Sequence, residues 1–244
     1  MDSQAIEKIE QLVKSSMTVE VEGQQFSVAN LKPVRQDIRP NAVTVHNLRG
    51  FCGFINNDID CAIKGKSWLI VVENPKSVTL VSNYNEKDGD RTYLVRAKIS
   101  EELEEFPFGR FMPQEEFAIK FRSMFIQKNG DDSAYVLAYT SKLVGGTEIQ
   151  GSDDGITQTV TAKRGVSGAL VEKTDLKPIV RLTPWRTFRE AEQPESEFLF
   201  RVRLENDMPR VALFEADGGA WVNDATQNVV NYIQSMVITI PVIA

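Results

Sequence analysis

Short runs of β-branched and aromatic residues, joined by tight turns, constrain the fold of this chain more than any other feature. WLIVVEN (68–74) and SVTLVSNYN (77–85) are separated by a turn at Pro75, and RTYLVRAKIS (91–100) follows a turn at 87–90. Such short connections join antiparallel neighbours, because parallel strands need a crossover of about a dozen residues or more. The three segments therefore predict an antiparallel meander.

The second half of the chain predicts further strands. In EFLFRVRLEN (197–206), Phe200 and Val202 fall on one face of a strand while Arg201 and Arg203 fall on the other. The other strand-like segments are TVEVEGQQFSV (18–28), which turns at Gly23 as a hairpin, ITQTVTAKRGV (156–166), PIVRL (178–182), PWRTFREAEQ (184–193) and RVALFEA (210–216).

Five segments predict helices, three of them through apolar residues at helical spacing. The first stripe consists of Ile6, Ile9, Leu12 and Val13. The predicted helices cover residues 1–16, 46–63, a stretch that starts at Pro113, 134–143 and 222–236. With the strands, they predict an α+β fold of antiparallel, β-rich sheets with about four to five amphipathic helices.

Composition shifts along the chain predict four segments. Residues 1–45 form an N-terminal helix, hairpin and extended arm, and residues 46–145 form an α+β domain. Residues 146–236 form a β-rich domain with a terminal helix, and residues 237–244 form an apolar tail. The boundary is placed at GGTEIQGSDDG (145–155), a glycine-rich polar segment typical of a loop.

Residue counts exclude several classes of site. The 28 Lys and Arg residues against 34 Asp and Glu residues give a net charge of −6, so nucleic acid could bind only at a local basic patch. One histidine and two cysteines cannot supply the usual Cys/His zinc sets. Gly65-Lys66-Ser67 lacks the P-loop context, and Asp153-Asp154 lacks EF-hand spacing. We therefore predict no catalytic residue, no metal site and no cofactor.

The sequence favours a cytoplasmic protein that does not bind a membrane. Residues 1–16 alternate charged and apolar residues, unlike a secretory signal. No stretch approaches the roughly 20 apolar residues that a membrane-spanning helix needs.

Arginines interleaved with aromatic residues are the main candidate for binding. Trp185, Arg186, Arg189, Arg201 and Arg203 are candidate contacts to phosphates of a single-stranded nucleic acid or a nucleotide, because arginine clamps phosphate and aromatic rings stack on bases. The alternative, favoured by equal numbers of acids and bases, is neutralisation by cross-strand pairs. The six arginines are Arg181, Arg186, Arg189, Arg201, Arg203 and Arg210, and the acids are Glu190, Glu192, Glu195, Glu197, Glu205 and Asp207.

The apolar tail is the candidate for contacts between copies. Its candidate oligomer contacts are Val237, Ile238, Ile240, Val242 and Ile243. Leaving them in water costs about 25 cal/mol for each Å² of apolar surface, and Pro241 suits an edge strand. Such a strand could join a neighbour's sheet or complete the chain's own sheet. Nearby, Asp217, Gly218 and Gly219 predict a tight turn.

Four phrases of the sequence resemble the YfdQ-like family of phage and prophage proteins, a family of unknown function. They are PQEEFAIKFRSMF (113–125), GSDDGITQTVTAKRGV (151–166), LTPWRTFREAEQPESEFLFRVR (182–203) and ALFEADGGAW (212–221). The resemblance covers roughly residues 45–236. It implies a phage or prophage origin, often beside recombination and replication genes, and hence the cytoplasm of a bacterial host.

Three classes of function remain, and the least favoured is an enzyme, because the sequence offers no metal set, nucleophile pair or phosphate loop. The other two are the main hypotheses. The first is a non-enzymatic, phage- or prophage-derived protein that self-assembles into a homo-oligomer, as a ring or a capsid-like, virus-like particle. The alternative is an accessory protein that binds nucleic acid or a nucleotide in phage recombination, replication or counter-defence. The tail carries the first hypothesis and the arginines carry the second.

Overall fold

The computed structural model describes residues 3–16, 18–21, 24–27, 41–84, 90–143, 147–151, 158–162, 172–206 and 208–244. The chain forms two compact units, residues 1–40 and residues 41–244. In the first unit, α1 (Ser3–Ser16) precedes β1 (Thr18–Val21) and β2 (Gln24–Ser27). The two strands pair antiparallel with Val21 opposite Gln24, as the predicted hairpin requires. The predicted turn at Gly23 and extended arm lie outside the described residues.

The second unit contains the remaining helices and strands. In chain order these are β3 (Val43–Val45), α2 (Leu48–Asn57), β4 (Trp68–Asn74), β5 (Ser77–Ser82), β6 (Tyr93–Lys98), β7 (Met112–Pro113), α3 (Gln114–Met124), β8 (Phe125–Ile126), α4 (Ser133–Lys142), β9 (Thr147–Gly151), β10 (Gln158–Ala162), β11 (Glu172–Leu176), β12 (Ile179–Pro184), β13 (Ser196–Glu205), β14 (Met208–Glu215), α5 (Trp221–Met236) and β15 (Val242–Ile243).

The first sheet has the strand order β15-β4-β5-β6-β3. Its centre, β4 to β6, is the antiparallel meander that the sequence predicts. The edge strands β3 and β15 pair parallel with their neighbours. Helices α2 and α5 pack against this sheet, and their apolar residues join those of the strands in the first core.

The second sheet has the order β7-β14-β13-β12-β8 and is antiparallel throughout. Phe198, Phe200 and Val202 alternate inward along β13, where they meet Phe117 and Phe121 of α3 in the second core. A third sheet, β11-β10-β9, is antiparallel as well. These helices and mostly antiparallel sheets confirm the α+β fold class.

The two cores correct the predicted division near residue 145. The first core combines residues between Leu48 and Ala97 with Phe188, Ala191 and the region of α5. The second combines residues between Phe106 and Leu143 with residues between Leu176 and Leu213. Each core therefore draws on both sides of the predicted boundary, so residues 41–244 form one unit.

Two predicted elements have different bounds in the structure. The helix predicted at 46–63 starts after Asn47, whose side chain accepts a hydrogen bond from the Gly50 amide at 2.6 Å. It ends at Asn57, because the next residue, Asp58, has a left-handed φ of 47° that stops the helix. Residues 147–151, predicted as loop, form β9. Asp153 and Asp154 lie outside the described residues.

No helix in the described ranges is both long enough and apolar enough to cross a membrane.

Candidate functional site

The outer face of the second sheet carries arginines that are paired with acids. Arg201 and Arg203 point away from the core, as the alternation in β13 predicts. Arg181 lies opposite Glu197 in the β12–β13 register, with Nε and Oε1 3.3 Å apart. Glu205 accepts a hydrogen bond from Arg203 at 3.4 Å and forms an ion pair with Arg210, whose Nε lies 2.6 Å from Glu205 Oε2. This face is therefore a set of ion pairs on one sheet surface; Asp207 lies outside the described residues.

Arg186 is buried and takes a structural position instead of a phosphate-binding one. Only 8% of the residue is exposed. Its guanidinium carbon lies 4.6 Å from the ring centroid of Phe108, 5.0 Å from that of Phe198 and 4.5 Å from that of Trp221. An ion pair of 2.7 Å joins it to Glu215. Burial lowers the pKa of Arg186, while the charge of Glu215 opposes that shift. The assignment of Arg186 as a nucleic-acid contact is thus corrected.

The segment predicted as a strand at 184–193 forms no strand beyond Pro184, because one buried side chain holds it in a folded loop. The Gln193 carbonyl oxygen accepts from the amides of Arg186, at 2.9 Å, and Thr187, at 3.1 Å. Its amide group donates to the carbonyls of Phe188, at 2.9 Å, and Ala191, at 3.0 Å. Gln193 therefore satisfies four backbone groups that no sheet partner reaches.

This loop crosses from the second core to the first. At its start, the Trp185 amide donates to Met124 O at 2.9 Å, and further along Phe188 and Ala191 enter the first core. Between these anchors the Thr187 hydroxyl donates to the carbonyl of Pro75. The loop consequently holds Trp185 and Arg189 beside the end of the first sheet.

A cleft of about 550 Å³ lies between this loop and the ends of β4, β5 and β6. Arg189 lies over the Trp185 ring, with its guanidinium carbon 4.2 Å from the ring centroid. The lining also includes Lys76 and Lys98, together with the apolar residues Leu103 and Met124. Of the sequence candidates for phosphate contact, Trp185, Arg186 and Arg189 line this cleft, and the guanidinium of Arg186 is engaged by Glu215. Arg201 and Arg203 do not line it.

Most charges at the cleft are matched. Lys76 pairs with Glu105, Lys98 pairs with Glu101 at 2.6 Å, and Glu104 pairs with Lys120 at 2.8 Å. Hydrogen bonds from Lys98 and Lys120 lower the pKa of Glu101 and of Glu104. Arg189, by contrast, has no carboxylate within ion-pair distance among the described residues.

The single histidine and the two cysteines have the following surroundings in the structure. His46 Nδ1 lies 2.9 Å from the carbonyl of Lys98. Burial, with a smaller contribution from Glu190, raises the pKa of Cys52 to about 11, so its thiol is protonated at neutral pH. Cys61 is exposed and lies beyond the end of α2. Within the described ranges, no three His, Cys, Asp or Glu side chains are placed to hold a metal ion.

The tail folds mainly onto its own sheet. Val237 and Ile240 are buried in the first core, and Val242 packs against it. The Ile70 amide donates to Pro241 O at 2.9 Å, and β15 then pairs with β4. Val237, Ile240 and Val242 are therefore corrected from oligomer contacts to intramolecular ones, which leaves Ile238 and Ile243 exposed.

The turn at Asp217 positions the start of α5. Gly218 and Gly219 have φ values of 62° and 84°, and the Gly219 amide donates to the Asp217 side chain at 3.0 Å. Trp221, the first residue of α5, then contacts Arg186.

Lys76, Lys98 and Gln193 are the residues of this region that sequence reasoning missed. The two lysines follow or end strands and resemble any surface lysine, and Gln193 resembles any loop glutamine. Only tertiary placement distinguishes them. No family model, curated protein or solved structure matches this chain. The resemblance to the YfdQ-like family therefore stays a prediction, and the residue roles rest on geometry alone.

Proposed function

We propose that this chain is a non-enzymatic protein that self-assembles into a homo-oligomer, as a ring or a capsid-like particle. The observation that carries the proposal is the apolar stripe of α1. Ile6 and Ile9, which lie on one face of α1, are 48% and 57% exposed. An apolar stripe on an amphipathic helix is stable in water only where another surface covers it.

A unit as small as the first rarely has a core of its own that could cover such a stripe. The first unit spans residues 1–40, and chains below about 40 residues rarely stabilise themselves without disulfides, metals or association. A helix of 14 residues is marginal in water when nothing packs against it. A second copy of the chain has an identical apolar surface and is present at the same concentration. We therefore propose that the α1 stripe of one copy packs against that of another.

The phage or prophage origin and the bacterial cytoplasm belong to the same proposal. Both come from the resemblance of the four sequence phrases, and an assembling protein fits that origin. The second hypothesis, nucleotide binding, keeps one specific observation in its favour, which is the placement of Arg189 over Trp185 at the cleft.

The mass in solution tests assembly directly. Sedimentation of the full chain, with negative-stain electron microscopy, should give particles much larger than the 27.4 kDa monomer. Replacing Ile6 and Ile9 together by Asp should shift the protein towards the monomer, because two buried charges at an apolar contact are unfavourable. The matched control is Ile119→Asp on α3, where the isoleucine is 63% exposed. This control should leave the assembly intact.

A full-length monomer at micromolar concentration would refute the proposal. An assembly that tolerates the α1 double substitution would refute the role of the stripe.

A further inference from the structure

The cleft beside Trp185 has the dimensions of a small-molecule site. Its volume of about 550 Å³ lies within the range of roughly 300–1,000 Å³ that is typical of ligand pockets. It is formed by the end of the first sheet and by the loop that Gln193 holds in place. The position of the loop is thus fixed by buried hydrogen bonds, so the cleft is preformed.

Arg189 is the group in this cleft best suited to receive an anion. The Arg189 guanidinium carbon lies 4.2 Å from the Trp185 ring centroid, and a guanidinium held against a ring keeps N–H groups that can donate two parallel hydrogen bonds to an anion. Lys76 and Lys98 are already engaged by Glu105 and Glu101. Those two ion pairs are largely exposed, so the lysines can turn towards a bound anion at little cost.

The surroundings of Arg189 favour a small ligand over a nucleic-acid strand. Four carboxylates line the same cleft, namely Glu101, Glu104, Glu105 and Glu190. A polyanion would meet several of them at once, whereas a single phosphate meets the unmatched arginine. The paired arginines on the outer sheet face do not extend the site, because they do not line the cleft.

We propose that the cleft binds a small organic phosphate of the nucleoside monophosphate class. Arg189 takes the phosphate, and the organic part lies against Leu103 and Met124. A phosphate alone would fill only a small part of the cavity, and the apolar wall gives the remainder of the ligand a surface to cover. This site is independent of the assembly proposed above, since all its lining residues belong to residues 41–244.

Calorimetric titration of the full chain with adenosine 5′-monophosphate tests the site, with adenosine and inorganic phosphate as separate arms. The monophosphate should bind in a saturable manner, and both fragments should bind at least about tenfold more weakly. Arg189→Gln should weaken monophosphate binding by about tenfold or more, because a charge-assisted bidentate contact is lost. Arg189→Lys keeps the charge, and its affinity for the monophosphate should lie between those of the wild type and of Arg189→Gln.

Arg181→Gln is the matched control, since it removes an exposed arginine from the outer sheet face and should leave binding unchanged. Unfolding curves for each variant establish that it is folded. The proposal is overturned by a wild-type chain that does not bind the monophosphate at millimolar concentration. It is equally overturned by an Arg189→Gln variant that binds as well as wild type, or by inorganic phosphate that binds as tightly as the monophosphate.

Discussion

The guanidinium of Arg186 lies 2.7 Å from a carboxylate oxygen of Glu215, and three aromatic rings surround it. This pair joins the loop after β12 to the end of β14 and to Trp221 at the start of α5. A charge buried to this extent is tolerated only while its partner is present. The pair therefore fixes the relative positions of three chain segments.

Removal of Arg186 should be strongly destabilising. We expect Arg186→Ala to lower the free energy of unfolding by about 2–5 kcal/mol, since the packing of a buried side chain against three rings is lost together with its ion pair to the partly exposed Glu215. Arg181→Ala, which breaks an exposed pair, should cost no more than about 1 kcal/mol. Urea unfolding of both variants measures the difference, and equal losses would show that burial of Arg186 adds nothing.

Gln193→Glu should destabilise the loop even though the side chains have nearly the same shape. A carboxylate can still accept from the Arg186 and Thr187 amides, but it cannot donate to the carbonyls of Phe188 and Ala191. We expect a loss of about 2 kcal/mol or more from two unsatisfied buried acceptors and a buried charge. Gln227→Glu on α5, at an exposed position, is the control and should change stability by no more than about 0.5 kcal/mol. Equal melting temperatures for the Gln193→Glu and Gln227→Glu variants would contradict the role of Gln193 in holding the loop.

Strand β13 and the loop held by Gln193 show which parts of the structure the sequence predicts and which it does not. Period-two alternation places Phe200 inward and Arg201 outward correctly, because every strand follows that geometry. PWRTFREAEQ has the composition of a strand, yet its backbone groups hydrogen-bond to the side chain of Gln193 instead of to another strand. Gln193 can do this because distant segments of the chain bury it, and the local sequence does not show that burial. The same holds for the cleft. Trp185 and Arg189 are candidates from the sequence, but Lys76 belongs to a turn more than 100 residues away in the chain and could not be assigned to the same site.

Substitution of the turn glycines should act through the backbone alone. Gly218 and Gly219 have positive φ, and a Cβ at either position would meet no atom within 4 Å. We expect Gly218→Val and Gly219→Val each to cost about 1 kcal/mol or more. Gly53→Ala is the control, because that glycine is helical and has equally open space. It should stabilise the chain by up to about 1 kcal/mol. Unchanged melting temperatures for both valine variants would rule out a need for glycine geometry.

Substitutions in the tail should lower the free energy of unfolding at a buried isoleucine but not at an exposed one. Ile240 is buried in the first core, whereas Ile238 is 89% exposed. Ile240→Ala should therefore cost about 2 kcal/mol or more, and Ile238→Ala no more than about 0.5 kcal/mol. Denaturant unfolding compares them; the reverse order would mean that the tail is not docked on its own sheet. Neither change should alter the mass in solution if α1 provides the contact between copies.

The pairing of β15 with β4 also sets an order of events during synthesis. The second core is complete once Leu213 has been made, whereas the first core needs Ile240, although its earliest member is Leu48. Chains arrested on the ribosome with residues up to Glu215 exposed should thus protect β13 from protease and leave β4 open to cleavage; equal protection would contradict this. The first sheet is thus translated first but completed last. Until α5 and β15 emerge, the apolar faces of β4 and β5 are the part of the nascent chain that a chaperone would have to cover.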